Sequence, residues 1–267
     1  LCGNRECGKS FGDFEIESDM TLAYRVSDVS FEAEGNKIIR HVSLSVKPGE
    51  RVAILGASGA GKTTLLRLLA AQIKPNTGEI FLYGENTSDL DSGEKLSRYV
   101  GVINQQYDLI QELSVRNNVM AGNLGRWGMW RSMLSLLSTI DSDIGTRALE
   151  RVGLSDKTHQ RLSRLSGGEQ QRVAVARLIV QDPLLIIADE PVASLDPTRA
   201  FEVMSLLHNI TSPTDKTLIS ALHSYDLTTH FFERVIGLRR GEVSFDIPVK
   251  ELSKDDLEKL YSVDQDD

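Results

Sequence analysis

Residues Gly56-Ala57-Ser58-Gly59-Ala60-Gly61-Lys62-Thr63 fit the pattern G-x-x-x-x-G-K-[ST], which holds phosphate when it joins a strand to a helix. Both flanks meet that condition. Arg51-Val52-Ala53-Ile54-Leu55 is a short β-rich apolar run, and Thr64-Leu65-Leu66-Arg67-Leu68-Leu69-Ala70-Ala71 reads as a helix. Gly56, Gly59 and Gly61 permit tight turns and let backbone N–H groups approach anionic oxygens with no Cβ between. The helix N-terminus adds its dipole, so Ala57, Ser58, Ala60 and Thr64 complete the cradle. In such a loop Lys62 reaches the β- and γ-phosphates of a nucleoside triphosphate, and the Thr63 hydroxyl ligates Mg²⁺. A glycine-rich turn before an ordinary helix is the plainer reading, and the ordered flanks weigh against it.

Two further segments carry chemistry. Leu184-Leu185-Ile186-Ile187-Ala188-Asp189-Glu190 is a buried strand pattern ending in two acids. At the carboxyl end of a parallel sheet these acids lie beside a phosphate loop. Asp189 suits Mg²⁺, and Glu190 suits a base that polarises the water attacking the γ-phosphate. Leu165-Ser166-Gly167-Gly168-Glu169-Gln170-Gln171-Arg172 opens another helix. Ser166, Gly167 and Gly168 form a second anion-accepting N-terminus, with the Ser166 hydroxyl as donor; a plain N-cap is the alternative for Ser166. Two phosphate-binding helix ends for one γ-phosphate make sense if ATP is clamped between two copies of the chain.

These segments need a scaffold, and the chain supplies the material for one. Its 267 residues suffice for one large domain or two small ones, and 40% hydrophobic residues suffice for a substantial core. Thirty Lys and Arg against 38 Asp and Glu give a net charge of −8, which argues against a nonspecific nucleic-acid binder. Cys2 and Cys7, near the N-terminus, have no second pair for a zinc site, and a reducing compartment fits. Residues 1–20 read as a poorly ordered leader without a secretory signal, and no apolar run is long enough to span a bilayer.

The spacing predicts antiparallel strands within Thr21–Val46, a turn at Pro75–Gly78 and a strand over Glu79–Tyr83. Helical spacing dominates 106–182, where Trp127, Trp130, Leu134, Leu137 and Ile140 share one face. Strand and helix alternate again from Pro183: a strand at Leu184–Ala188, a helix over 198–210, a strand at Thr217–Leu222, then a hairpin of Val235–Leu238 and Glu242–Asp246. Lys254–Tyr261 reads as a short helix, and 251–267 as an acidic tail. The expected fold is α/β, with a parallel-sheet core (about 21–105 and 181–250) interrupted by helices (about 106–180).

Taken in this order, Gly56–Thr63, Leu165–Gln170 and Leu184–Glu190 resemble the nucleotide-binding domain of ABC transporters over about residues 21–250. The resemblance implies a P-loop NTPase fold: a RecA-like mixed sheet, an antiparallel β subdomain and an α-helical subdomain. It implies an ATPase using Mg²⁺, with catalytic roles for Glu190, His223, Lys62 and Gln105. Gln105 corresponds to the Q-loop glutamine that touches Mg²⁺, Ser194-Leu195-Asp196 to the D-loop at the dimer interface, and His223 to the switch histidine on the γ-phosphate. Ala33 stands where the family offers a ring to adenine, with Phe31 and Tyr24 as the rings nearby, and Glu169 replaces the usual signature glutamine.

The stretch Leu109–Gly122, the Trp-rich Arg126–Leu137 and Ala188–Pro197 are similar to the ATPases of phosphonate importers. This implies an ATP-dependent homodimer on the cytoplasmic face of the membrane. Its partners would be transmembrane permease subunits and, indirectly, a substrate-binding protein, with no nucleic acid. Trp127, Trp130 and Met133 are either part of the permease dock or core of the helical part. An ATPase for another solute, for export or for lipoprotein release stays open, as does, less readily, one acting on nucleic acid.

Overall fold

A computed structural model describes residues 22–90, 93–104, 107–124, 142–193, 195–212 and 215–262. The strands are β1 (Tyr24–Ala33), β2 (Asn36–Val46), β3 (Arg51–Leu55), β4 (Thr77–Leu82), β5 (Glu85–Asn86), β6 (Val100–Ile103), β7 (Leu185–Asp189), β8 (Thr217–Ala221), β9 (Arg234–Arg239) and β10 (Glu242–Pro248). The α-helices among the described residues are α1 (Lys62–Leu69), α2 (Glu94–Tyr99), α3 (Val115–Met120), α4 (Ser142–Arg151), α5 (Gly167–Gln181), α6 (Pro197–Thr211), α7 (Tyr225–Phe231) and α8 (Lys254–Tyr261).

Two sheets result. One is antiparallel in the order β2-β1-β4-β5; the other runs β10-β9-β3-β8-β7-β6. In the second sheet every neighbouring pair is parallel except the β9–β10 hairpin. Its inner strands are apolar on both faces because both faces are covered. Along β3, Val52 and Ile54 face the layer containing α1 and the antiparallel sheet, while Ala53 and Leu55 face the layer containing α5 and α6. Strand β7 divides in the same way, with Leu185 and Ile187 on one side and Ile186 and Ala188 on the other. The loop after β3 and the acids ending β7 therefore emerge at the same edge, separated by β8.

After Pro183 the expected elements appear within about two residues of their bounds, with α7, between β8 and β9, as an addition that the spacing did not announce. The main shift is at Gly78, expected in a turn but lying inside β4 with φ +81°, beside a register irregularity of β1. A Cβ there would stand 2.4 Å from the Asp28 carbonyl oxygen, so glycine is needed for the strands to approach rather than to reverse the chain. Packing also continues past residue 250. Leu252 and Leu260 are buried in the core shared by α5 and α6. The Trp127–Ile140 face lies outside the described residues.

Arg234 fastens the two sheets. Its guanidinium donates to the Ser45 carbonyl on β2 at 2.8 Å, to Glu50 at 3.1 Å and to both Asp246 oxygens on β10. Helix α5 begins with a capping box. Ser166 N–H donates to Glu169 at 2.8 Å, the Glu169 N–H returns to the Ser166 hydroxyl at 3.4 Å, and Lys157 pairs with Glu169. The Lys157 ammonium and the Ser166 N–H hold the Glu169 carboxyl down at about 2.

Two tests follow from these contacts. Arg234→Met leaves Glu50 and Asp246 without their cation and should lower unfolding free energy by about 1–3 kcal/mol; an unchanged urea midpoint would show that the clamp contributes nothing. Glu169 has a depressed pKa, so its stabilisation is complete above the unfolded value of 4.5 and is lost as pH falls toward about 2. The stability gap between wild type and Glu169→Gln should shrink over that window, and a gap independent of pH would contradict the assignment.

Candidate nucleotide site

The chain leaves β3 at Leu55 and wraps through Gly56–Gly61 into α1. Gly59 and Gly61 adopt φ +81° and +101°. At Gly61 a Cβ would come within 2.9 Å of Ile39 Cδ1 and 3.0 Å of the Ile38 carbonyl oxygen, so neither the conformation nor the space admits a side chain. Helix α1 has no side-chain cap, unlike α3, α5, α6, α7 and α8, each capped by a Ser or Asp. Its first N–H groups are thus left for an external acceptor.

Lys62, 5% exposed, folds back over the loop. Its Nζ donates to the Gly56 carbonyl at 2.9 Å and the Ala57 carbonyl at 3.2 Å, and lies 3.7 Å from Glu190 Oε1. Burial pulls its pKa down, opposed by the charges of Glu190 and Asp189. His223 Nε2 meets the same Glu190 Oε1 at 2.6 Å. Glu190 itself has φ +47°, a conformation costly for a residue with a Cβ. That turn swings its carboxylate from the end of β7 toward Lys62 and His223. A cavity of about 440 Å³, lined in part by Glu190, His223, Leu195 and Phe201, opens beside the pair.

Asp189 stands one residue earlier. Burial raises its pKa, a hydrogen bond with the Thr63 side chain acts against this, and the Glu190 charge adds to the rise. Its Oδ1 is buried without a hydrogen-bond partner. An orphaned carboxylate oxygen next to a threonine hydroxyl fits a hard divalent cation. Gly56–Thr63, Asp189, Glu190 and His223 are thereby gathered at one edge of the parallel sheet.

The Ser166–Gly168 end of α5 is separate. Among the described residues no hydrogen bond or ion pair joins it to the 56–63 loop. The Ser166 hydroxyl, expected as a phosphate donor, serves here as acceptor in the α5 cap. A Cβ at Gly167 would meet nothing, leaving that backbone open to an approaching ligand, whereas Gly168 faces Leu195 and Arg199. Asp196 caps α6, accepting from the Arg199 N–H at 3.1 Å. Gln105 and Ser194 lie outside the described residues, as do Trp127, Trp130 and Met133.

Tyr24 is corrected as a candidate for adenine stacking. It is fully buried, and its hydroxyl is spent on the Leu69 carbonyl at 2.5 Å. Phe31 remains partly exposed on β1, while Ala33 sits beside the β1–β2 turn paired with Asn36. Sequence reasoning missed two fasteners of the site. Arg177 on α5 donates to the carbonyls of Tyr107 and Asp108, both at 2.8 Å, and Gln171 donates to the Pro191 carbonyl just after Glu190. Both bind backbone rather than side chains, so no motif announces them.

The profile of the ABC transporter family matches residues 39–193. The phosphonates import ATP-binding protein PhnC 3 of Halalkalibacterium halodurans is 42% identical over 229 residues, covering 85% of this chain and 89% of that protein. The phosphonates import ATP-binding protein PhnC 1 of Pseudomonas aeruginosa is 40% identical over 235 residues, covering 87% and 88%. Among solved structures, the dimeric post-hydrolysis state of the ATP-binding cassette MJ0796, bound to ADP and Pi, aligns with a TM-score of 0.74 at 28% identity, covering 86% of this chain and 100% of that one. The chain belongs to the ABC transporter family, as one of its ATP-binding cassettes.

Proposed function

We propose that this protein is the ATP-hydrolysing subunit of an importer for phosphonates or a related phosphorus oxyanion, working as a pair of copies that close on nucleotide. The observation that carries the ATPase reading is the Glu190 carboxylate, shared by His223 and Lys62 beside an uncapped glycine-loop helix. The oxyanion class is supported by relatives about 40% identical over most of their length, which are named for phosphonate import.

In this reading the loop N–H groups of Ala57–Thr64 and the Lys62 ammonium hold the β- and γ-phosphates. Lys62 exchanges its carbonyl partners for phosphate oxygens. Thr63 and Asp189, with Gln105, hold Mg²⁺, which neutralises phosphate charge when bound. Glu190 orients and deprotonates the attacking water, and His223, hydrogen-bonded to Glu190, fixes its direction and contacts the γ-phosphate. Ser166, Gly167 and Gly168 of a second copy supply the other phosphate wall, and Asp196 lies at the junction between copies. The dimeric form of MJ0796 supports that pairing. Catalysis is positioning and charge stabilisation, with no covalent enzyme intermediate.

No helix among the described residues is long and apolar enough to cross a membrane. Membrane attachment is therefore assigned to permease subunits, with a substrate-binding protein acting on their far side. The bridge between the nucleotide edge and the helical part is the segment after Gln105, whose carbonyls Arg177 grips.

Glu190→Gln keeps the size of the side chain and removes the base. ATP turnover should fall by about 10²–10⁴-fold with Mg-ATP affinity little changed, and wild-type turnover in the variant would remove Glu190 from the chemistry. With its membrane subunits and binding protein, the purified complex should hydrolyse ATP faster on adding phosphonate, phosphite or phosphate. Stimulation only by an unrelated solute would overturn the oxyanion assignment and leave the ATPase standing.

A further inference from the structure

Helix α8 ends against the phosphate loop. Its start is fixed by a capping box of Ser253 with Asp256, and Leu252 and Leu260, 6% and 2% exposed, seat it in the main core. Its last residue, Tyr261, packs on the same core, with a buried hydroxyl that completes no well-formed hydrogen bond. The backbone N–H of Gly56 approaches that oxygen. Burial pushes the phenol's pKa up, the Gly56 N–H works against this, and the Glu190 charge reinforces it, so the hydroxyl keeps its proton.

A phenol oxygen free to accept thus stands beside the N–H of the first glycine of the loop and near Glu190. Gly56 is also pressed against β9, where a Cβ would lie 2.4 Å from the Leu238 carbonyl oxygen. The roles assigned above to the loop and the acids make no use of Tyr261. A buried hydroxyl without a partner is costly, which favours a second state of the loop in which the partner is present.

We propose that Tyr261 is a positioning residue for the phosphate loop, its hydroxyl seating Gly56 and completing a hydrogen bond when the loop closes on nucleotide. The proposal rests on the nucleotide reading given above. It couples α8 to the occupancy of the site. By linkage, nucleotide that tightens the loop steadies α8, and loosening that contact weakens nucleotide by the same factor.

The test is titration of the full chain with Mg-ADP, wild type against Tyr261→Phe, with amide exchange followed in residues 254–261. Losing about one net hydrogen bond should raise the Kd roughly fivefold, with the melting temperature of the free protein within about 2 °C of wild type. Mg-ADP should slow exchange in α8 of the wild type and leave it unchanged in Tyr261→Phe. Equal Kd values in the two proteins would overturn the role of Tyr261 alone. A rise in Kd that Leu260→Ala reproduces, in step with a lower melting temperature in both variants, would reduce the role to packing and also overturn it. Failure of the wild type to bind Mg-ADP would count against the nucleotide reading itself.

Discussion

An ammonium group taken almost wholly out of water must be paid for locally, and Lys62 sets the terms for everything around it. Its neighbours are two loop carbonyls and one oxygen of Glu190. That arrangement requires a loop that curls back on itself, and φ is positive within it at Gly59 and Gly61. It also requires a carboxylate from another strand. Parallel pairing of β7 with β8, and of β8 with β3, brings the ends of β7 and β3 to the same edge. The loop is curled around its own cation, and a polyphosphate is the chemistry that can claim that cation together with the uncapped end of α1.

The helical part is tied to this edge by polar contacts with backbone. Arg177 reaches the carbonyls after Gln105, and Gln171 reaches the carbonyl of Pro191. Both residues ride on α5, the helix whose first turn is Ser166–Gly168. Residues 111–116 and 158–163 are also stitched together, with bonds such as Val115 N–H to the Gln160 carbonyl at 2.9 Å and Leu162 N–H to the Leu113 carbonyl at 3.0 Å. Helix α5 thereby links the open Gly167, the segment after Gln105 and the turn that carries Glu190.

Much of this was legible because the phosphate loop, the acid pair and the glycine-led helix are fixed by short-range chemistry. Most strands and helices after Pro183 alternate with clear periods, so their bounds came within a residue or two, whereas the seven-residue α7 is too short for its period to stand out. The antiparallel sheet was legible as strands, but Gly78 was misplaced because a glycine needed for close approach resembles a glycine needed for a turn. Strand β6, Val100-Gly101-Val102-Ile103, is too short for periodicity to reveal. Tyr24 looked available as a ring, and only the packing of α1 shows its hydroxyl committed to Leu69. The contacts of Arg177, Gln171 and Tyr261 join residues far apart in sequence through main-chain atoms, which carry no residue-type signal.

The central claim is that Gly56–Thr63 is half of a site whose other wall is Ser166–Gly168 of another copy. Sedimentation velocity of the Glu190→Gln protein with and without Mg-ATP tests it most directly, since blocked hydrolysis would preserve the closed pair. The account predicts a monomer without nucleotide, a dimer with Mg-ATP, and loss of that dimer when an arginine side chain fills the open space at Gly167. A monomer at saturating Mg-ATP, or a dimer indifferent to nucleotide and to Gly167→Arg, would contradict it.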